Sequence, residues 1–227
     1  MLKRLFVFVV LILLPAAPAF AQMHAEVAFT VGWTFSDGVS FSTPIFAPGT
    51  GGTYSRVDPK DSASFGLSFG VFVTHEAELE FQWNRQSTKN ELTGVSSPNV
   101  EGDFTIDTYH GNFVYNAGDE DSHLRPYISI GAGATNYADT KFPNHTIPGL
   151  TKFSWAVGTG VKFYPGKAVG IRAGVRWVPT YIKTDAVGWW CDPYWGCGPV
   201  GNVQYANQFE MGGGITFKFE PEPEPKP

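Results

Sequence analysis

Charge is scarce in this 227-residue sequence, with Asp, Glu, Lys and Arg making up 16% of residues, against about 25% in ordinary soluble domains. What charge there is sums to −5 at neutral pH, which argues against nucleic acid as a partner. Cysteine is nearly absent. The two that occur, Cys191 and Cys197 in "WWCDPYWGCG", have no neighbouring histidine pair and lack the spacing of a structural zinc site. Past the first residues no apolar run approaches the roughly 20 residues of a spanning helix. Phosphate loops are missing too, because neither "GTGG" nor "MGGG" is followed by Lys and Ser or Thr. The five histidines, His24, His75, His110, His123 and His145, fall in no H-x-S or comparable motif, so the nucleophile-and-base arrangement of acyl transfer is not written in the chain. The expectation is a protein that is not an enzyme and has no cofactor.

At the N-terminus, "MLKRLFVFVVLILLPAAPAFAQ" has a basic start at Lys3 and Arg4, an apolar run from Leu5 to Leu14, and small residues ending Ala19, Phe20, Ala21. This is the pattern of a cleaved secretory signal over residues 1–21. Export places Cys191 and Cys197 in an oxidising compartment, where an isolated pair is expected as a disulfide.

Period-two alternation dominates the rest. In "EVAFTVGWTF" the apolar Val27, Phe29, Val31, Trp33 and Phe35 alternate with Glu26, Ala28, Thr30, Gly32 and Thr34. The same reading fits "SFGLSFGVFV", "EAELEFQWN", "TYHGNFVY", "YISIGAGAT", "FSWAVGTGVKF", "VGIRAGVRW" and "YANQFEMGGGITFKF", eight strands in all. Long and short connections alternate, as in an up-and-down barrel with tight turns at one rim and large loops at the other. "YPGK" suits one of the tight turns. Residues 22–219 read as one all-β domain, an eight-stranded antiparallel transmembrane barrel, followed by an extended Pro/Glu tail over 220–227.

Which face points inward follows from volume. The interior of an eight-stranded barrel holds packed side chains or one small ligand, and the bulky apolar face cannot fit there. It is therefore expected to face lipid. The opposite face is Gly, Ala, Ser and Thr with a charged set, Glu26, Glu78, Glu80, Lys162, Arg172, Arg176, Glu210 and Lys218, joined by His110. Toward lipid each Arg or Lys would cost about 2 to 4 kcal/mol at mid-depth; inside, acids and bases can pair. Two readings of this cluster stay open, a structural electrostatic core and a narrow charge-lined pore. Trp33, Phe35, Trp83, Tyr115, Phe163, Trp177 and Phe219, near strand ends on the apolar face, suit interfacial girdles.

"RPYISIGAGAT", "AVGTGVKFYPGKAVGIRAGVRW" and "MGGGITFKF" together resemble the small eight-stranded outer-membrane barrels of Gram-negative bacteria, the OmpA-like and opacity-type group. The resemblance covers roughly residues 24 to 219. It implies a bacterial outer-membrane location, contact with outer-membrane lipids, a long-loop rim facing outside, and assembly by the barrel-assembly machinery. Phe217 and Phe219 match its alternating C-terminal signal, although Phe219 is not the last residue. The tail resembles the Pro-rich linker of such proteins without the peptidoglycan-binding domain that would follow. The expected role is a non-enzymatic envelope barrel displaying long loops; the competing roles are a narrow porin-like channel and a barrel enzyme modifying lipid A or phospholipid.

The last long loop concentrates Trp189, Trp190, Tyr194 and Trp195 around the cysteine pair. A disulfide there closes a small ring, worth about 2.5 kcal/mol of unfolded-state constraint. The ring either presents its aromatics to an extracellular partner, sugar or lipid headgroup, or lets them fold over the barrel mouth or settle at the membrane interface.

Overall fold

A computed structural model describes residues 24–47, 52–95, 98–118, 122–142, 145–166, 168–182 and 204–219. The signal segment, the tail, Cys191, Cys197 and the aromatic cluster of the last loop lie outside the described residues. Twelve strands run through the rest: β1 (Ala25–Ser36), β2 (Val39–Ala47), β3 (Gly52–Pro59), β4 (Ser62–Phe72), β5 (Ala77–Gly94), β6 (Val100–Asn116), β7 (Leu124–Tyr137), β8 (Thr140–Phe142), β9 (His145–Ile147), β10 (Leu150–Phe163), β11 (Val169–Ile182) and β12 (Gln204–Phe219).

Eight of these are the staves of a closed antiparallel barrel, in the ring order β1, β4, β5, β6, β7, β10, β11, β12. Closure is made by β1 against β12, in unbroken register from Ala25 opposite Phe219 to Ser36 opposite Gln208. Each stave is thus bonded on both sides, which is what allows strands to cross a lipid bilayer with no unpaired backbone edge. The short rim is built from tight turns: Val73 N–H donates to the Ala77 carbonyl at 2.8 Å, and Gly118 takes a φ of 93° that side chains with a Cβ rarely adopt.

The remaining four strands form two hairpins inside the long connections, beyond the eight strands legible from alternation. β2 and β3 join the sheet through β5, and β8 and β9 reach β6 through Asp103 opposite Lys141. β5 and β6 are longer than their alternation indicates, with 18 and 17 residues. Above the apolar band there is no lipid to demand one bulky face, so the two-residue pattern fades while the hydrogen-bond ladder continues.

The apolar face points outward. Phe29, Leu79, Phe81, Ile128, Ile130, Ile171 and Ile215 are all more than half exposed, whereas Glu26, Glu78, Glu80 and Lys162 on the other face are almost fully buried. Aromatics gather toward the long-connection rim: Trp155 meets Trp177 edge-on at 5.0 Å, Trp177 stacks on Phe209 at 6.2 Å, and Phe65 meets Trp83 at 5.5 Å.

Candidate functional site

Strand alternation aims every second side chain of each stave into the lumen, and the register then decides which of them meet. Nearest the short-turn rim, Lys162 of β10 holds two carboxylates from other staves, Glu78 of β5 at 2.7 Å and Glu26 of β1 at 3.0 Å. Tyr164 donates its hydroxyl to Glu26 at 2.5 Å, and Asn116 donates to Glu78 at 3.1 Å. Lys218, also buried, sits opposite Glu26 in the ladder.

One tier up, the Arg172 guanidinium pairs with Glu80. It donates as well to Tyr127 at 3.1 Å and Ser68 at 3.2 Å, and lies 4.8 Å from the Tyr127 ring centre. Asn112 completes the Glu80 carboxylate with a 3.1 Å bond. β11 and β5 stand diametrically opposite in the ring of eight, so this pair spans the full lumen.

The third tier centres on Arg176, which pairs with Glu210 at 2.7 Å and crosses to Gln82 at 2.7 Å. Beside it, His110 Nε2 lies 2.9 Å from Ser154 Oγ, and Thr135 and Thr180 extend the chain of hydroxyls at 3.0 Å each. His110 reaches Ser154 across β7 because the residue opposite both in the ladder is Gly133. A cavity of about 60 Å³, lined by Gln82, Asn84, Arg172, Arg176 and Glu210 among others, leaves room for a few waters.

Above an amide layer of Gln86 and Gln208, joined at 3.2 Å, the lumen turns apolar. Val39, Tyr54, Val57, Leu92, Ile182 and Ala206 form one buried cluster, with Val100 and Leu150 against it. Phe104, Ile106 and Tyr137 form a second, the Phe104 and Tyr137 rings stacked at 6.1 Å. The β2–β3 hairpin therefore puts three side chains into the barrel mouth.

Of the residues singled out by sequence, Glu26, Glu78 and Lys162 come together directly, as do Glu80 with Arg172 and Arg176 with Glu210. His110 bonds to Ser154 instead of to a charged group. Phe217 and Phe219 face outward on β12, opposite Val27 and Ala25. Arg125 escaped the sequence reading although it is buried and donates to the His75 carbonyl. The signal was there, because Arg125, Tyr127 and Ser129 keep one period-two face. Ser154 as the His110 partner had no such signal, since their meeting depends on barrel closure. Among the described residues no group of three His, Cys, Asp or Glu converges as metal ligands do.

Known proteins place this architecture. The chain is 28% identical over 118 residues to outer membrane porin F of Pseudomonas fluorescens, a stretch covering 52% of this chain and 35% of that protein. It is 26% identical over 125 residues to the lipid A deacylase PagL of Pseudomonas aeruginosa, covering 49% and 70% of the two. The chain thus matches only about a third of the porin's length. Among solved structures, the outer membrane protein OprG of Pseudomonas aeruginosa superposes with a TM-score of 0.58 at 14% identity, covering 88% of this chain and 97% of OprG, a likeness of fold. A family model described as outer membrane protein beta-barrel domain matches residues 6–217, and with the closed eight-stave barrel and its outward apolar band the chain belongs to that family of bacterial outer-membrane barrels.

Proposed function

We propose that the protein is a non-enzymatic envelope barrel with a closed lumen, which displays a β-structured extension on the cell surface. The observation that carries this is the Arg172–Glu80 pair joining opposite walls, with further polar tiers below and above it and an apolar plug at the mouth. An eight-stranded lumen is narrow to begin with, and salt-bridged side chains across its diameter obstruct the path that ions would need. The long-connection rim faces outside in this reading, so the β2–β3 hairpin and the strand extensions are what a partner would meet.

The enzyme alternative has one specific observation in its favour, the 2.9 Å contact of Ser154 with His110. Acyl transfer needs in addition an acid orienting the base and access for substrate. Both residues are fully buried, and His110 Nδ1 has no partner among the described residues. Planar-bilayer recording of the purified protein is expected to show no steady conductance; discrete channel steps would overturn the closed-lumen reading. Lipid A mass spectra from cells with and without the gene are expected to be identical, and a lost or gained acyl chain would establish the enzymatic one.

A further inference from the structure

The lipid-facing wall carries a pit that packing within the sheet does not require. On β6, β7 and β10 the register brings Gly111 beside Ala132, and Ala132 beside Trp155; β5 sets Phe81 against Gly111 from the other side. The result is a shallow, open depression of about 790 Å³, with Gly111 and Ala132 at its floor and Phe81, Phe113, Ile130 and Trp155 around it.

Gly111 pairs with Ala132 on the outward face, whereas Gly131 and Gly133 pair with the lumen residues Asn112 and His110. A Cβ at Gly131 would fall 2.0 Å from Asn112 Oδ1, and one at Gly133 1.8 Å from the Tyr109 carbonyl, so both are held by close approach. At Gly111 the nearest atom would be 4.0 Å away. A mid-strand glycine weakens a strand, and at Gly111 it leaves the outward surface open between Phe81 and Ala132.

A polar anchor stands over that space. Two positions along the ladder from Gly111 and Phe81 come Tyr109 and Trp83, and two further come Asp107 and Arg85, about 14 Å up the strand at about 3.4 Å per residue. Asp107 accepts from Arg85 Nε at 2.7 Å, Arg85 Nη2 at 2.8 Å and Trp83 Nε1 at 3.0 Å. The carboxylate thereby fixes the guanidinium on the outward face, where the Arg85 side chain keeps 41% of its surface exposed. An arginine has five N–H donors, so donors remain for a phosphate oxygen.

We propose that this depression seats one acyl chain of a phosphate-bearing glycolipid of the outer leaflet, with Arg85 against its phosphate and Gly111 and Ala132 beneath its tail. The depression is continuous with the lipid-facing band, so its occupant is a membrane lipid, and Arg85 lies at the long-connection end. The choice of leaflet rests on the outward orientation proposed above, which protease shaving of intact cells checks separately.

The test is photolabelling of the full chain in phosphatidylcholine nanodiscs doped with diazirine-acyl lipid A, in bisphosphorylated and dephosphorylated forms, or with diazirine-acyl phosphatidylglycerol. The bisphosphorylated probe is expected to label peptides around Phe81, Gly111, Ile130 and Trp155 over those of β1, β4 and β12. Gly111→Phe or Ala132→Leu is expected to cut that labelling about tenfold, as withdrawal of roughly two methylenes from apolar contact would, with heat-modifiable migration unchanged. Arg85→Gln is expected to lower it to the level of the dephosphorylated probe, and Val31→Phe on the opposite wall to leave it alone. Even labelling around the barrel, indifference to both space-filling substitutions, or equal labelling by phosphatidylglycerol would overturn the proposal.

Discussion

Arg172 and Glu80 show what a single pair contributes when it is almost fully removed from water. Arg172→Met would leave the Glu80 carboxylate buried with Asn112 as its remaining donor, and removing one partner of a buried pair costs about 3 to 5 kcal/mol. Replacing both, Arg172→Met with Glu80→Leu, substitutes apolar contact for the ion pair and is expected to recover most of that loss. Urea midpoints of the refolded barrel, followed by tryptophan fluorescence, measure it. A double variant no more stable than the worse single one would mean that the two side chains act independently. Gly133 makes a different point at the same scale: Gly133→Ala would drive a Cβ to 1.8 Å from the Tyr109 carbonyl. The sheet would have to shift between His110 and Ser154, for an expected loss of about 1 to 3 kcal/mol.

Among the described elements, the β2–β3 hairpin is bordered by exposed ion pairs that depend on pH. Just past β3, Lys60 pairs with Glu101 of β6 and lies 3.4 Å from Glu91, while Lys89 lies 3.2 Å from Glu101. These bonds hold the Glu101 carboxyl below its ordinary 4.5 and raise the Lys60 ammonium. A depressed carboxyl contributes stability that is complete above its unfolded value, near 4.5, and is lost as pH falls through the lower folded one. Because these side chains are exposed and screened, the effect stays local and small. The protection factors of the β2 and β3 amides, corrected for the intrinsic slowing of exchange in acid, are expected to fall on acidification below about 4.5, and at neutral pH in high salt, while the staves hold. Glu101→Gln should show the faster exchange already at pH 7; a variant as protected as the parent would place the hairpin's attachment in its apolar contacts. The hairpin itself was not legible in "GTYSRVDP", where Tyr54 and Val57 point into the plug across a break in register. A bulge disrupts the period-two pattern that gave away the staves, whose one bulky face tolerates no slip. The extensions of β5 and β6 were hidden for the related reason that neither of their faces meets lipid.

For the whole molecule, strand faces follow from neighbours in sequence, but lumen partners follow from closure. Arg172 lies on the stave opposite Glu80, and no local pattern tells which lysine or arginine answers which carboxylate. The alternation of charge with small residues on the inner face gave the set without the pairing. In the closed-lumen reading proposed above, that pairing stacks several closures in series: Lys162 with Glu26 and Glu78, Arg172 with Glu80, Arg176 with Glu210 and Gln82, and the apolar cluster above. Closures in series block ions as long as one survives, so opening a single tier should change stability without opening a path. A variant with Arg172→Ser and Glu80→Ser, and another with residues 39–59 replaced by a short Gly/Ser linker, are each expected to fold with reduced urea midpoints and to remain silent in planar bilayers. Steady conductance from the first variant would mean that the Lys162 and Arg176 tiers leave a path around them and that Arg172 with Glu80 is the one barrier. Conductance from the second would mean that the plug alone closes the barrel and the charged tiers only brace its walls.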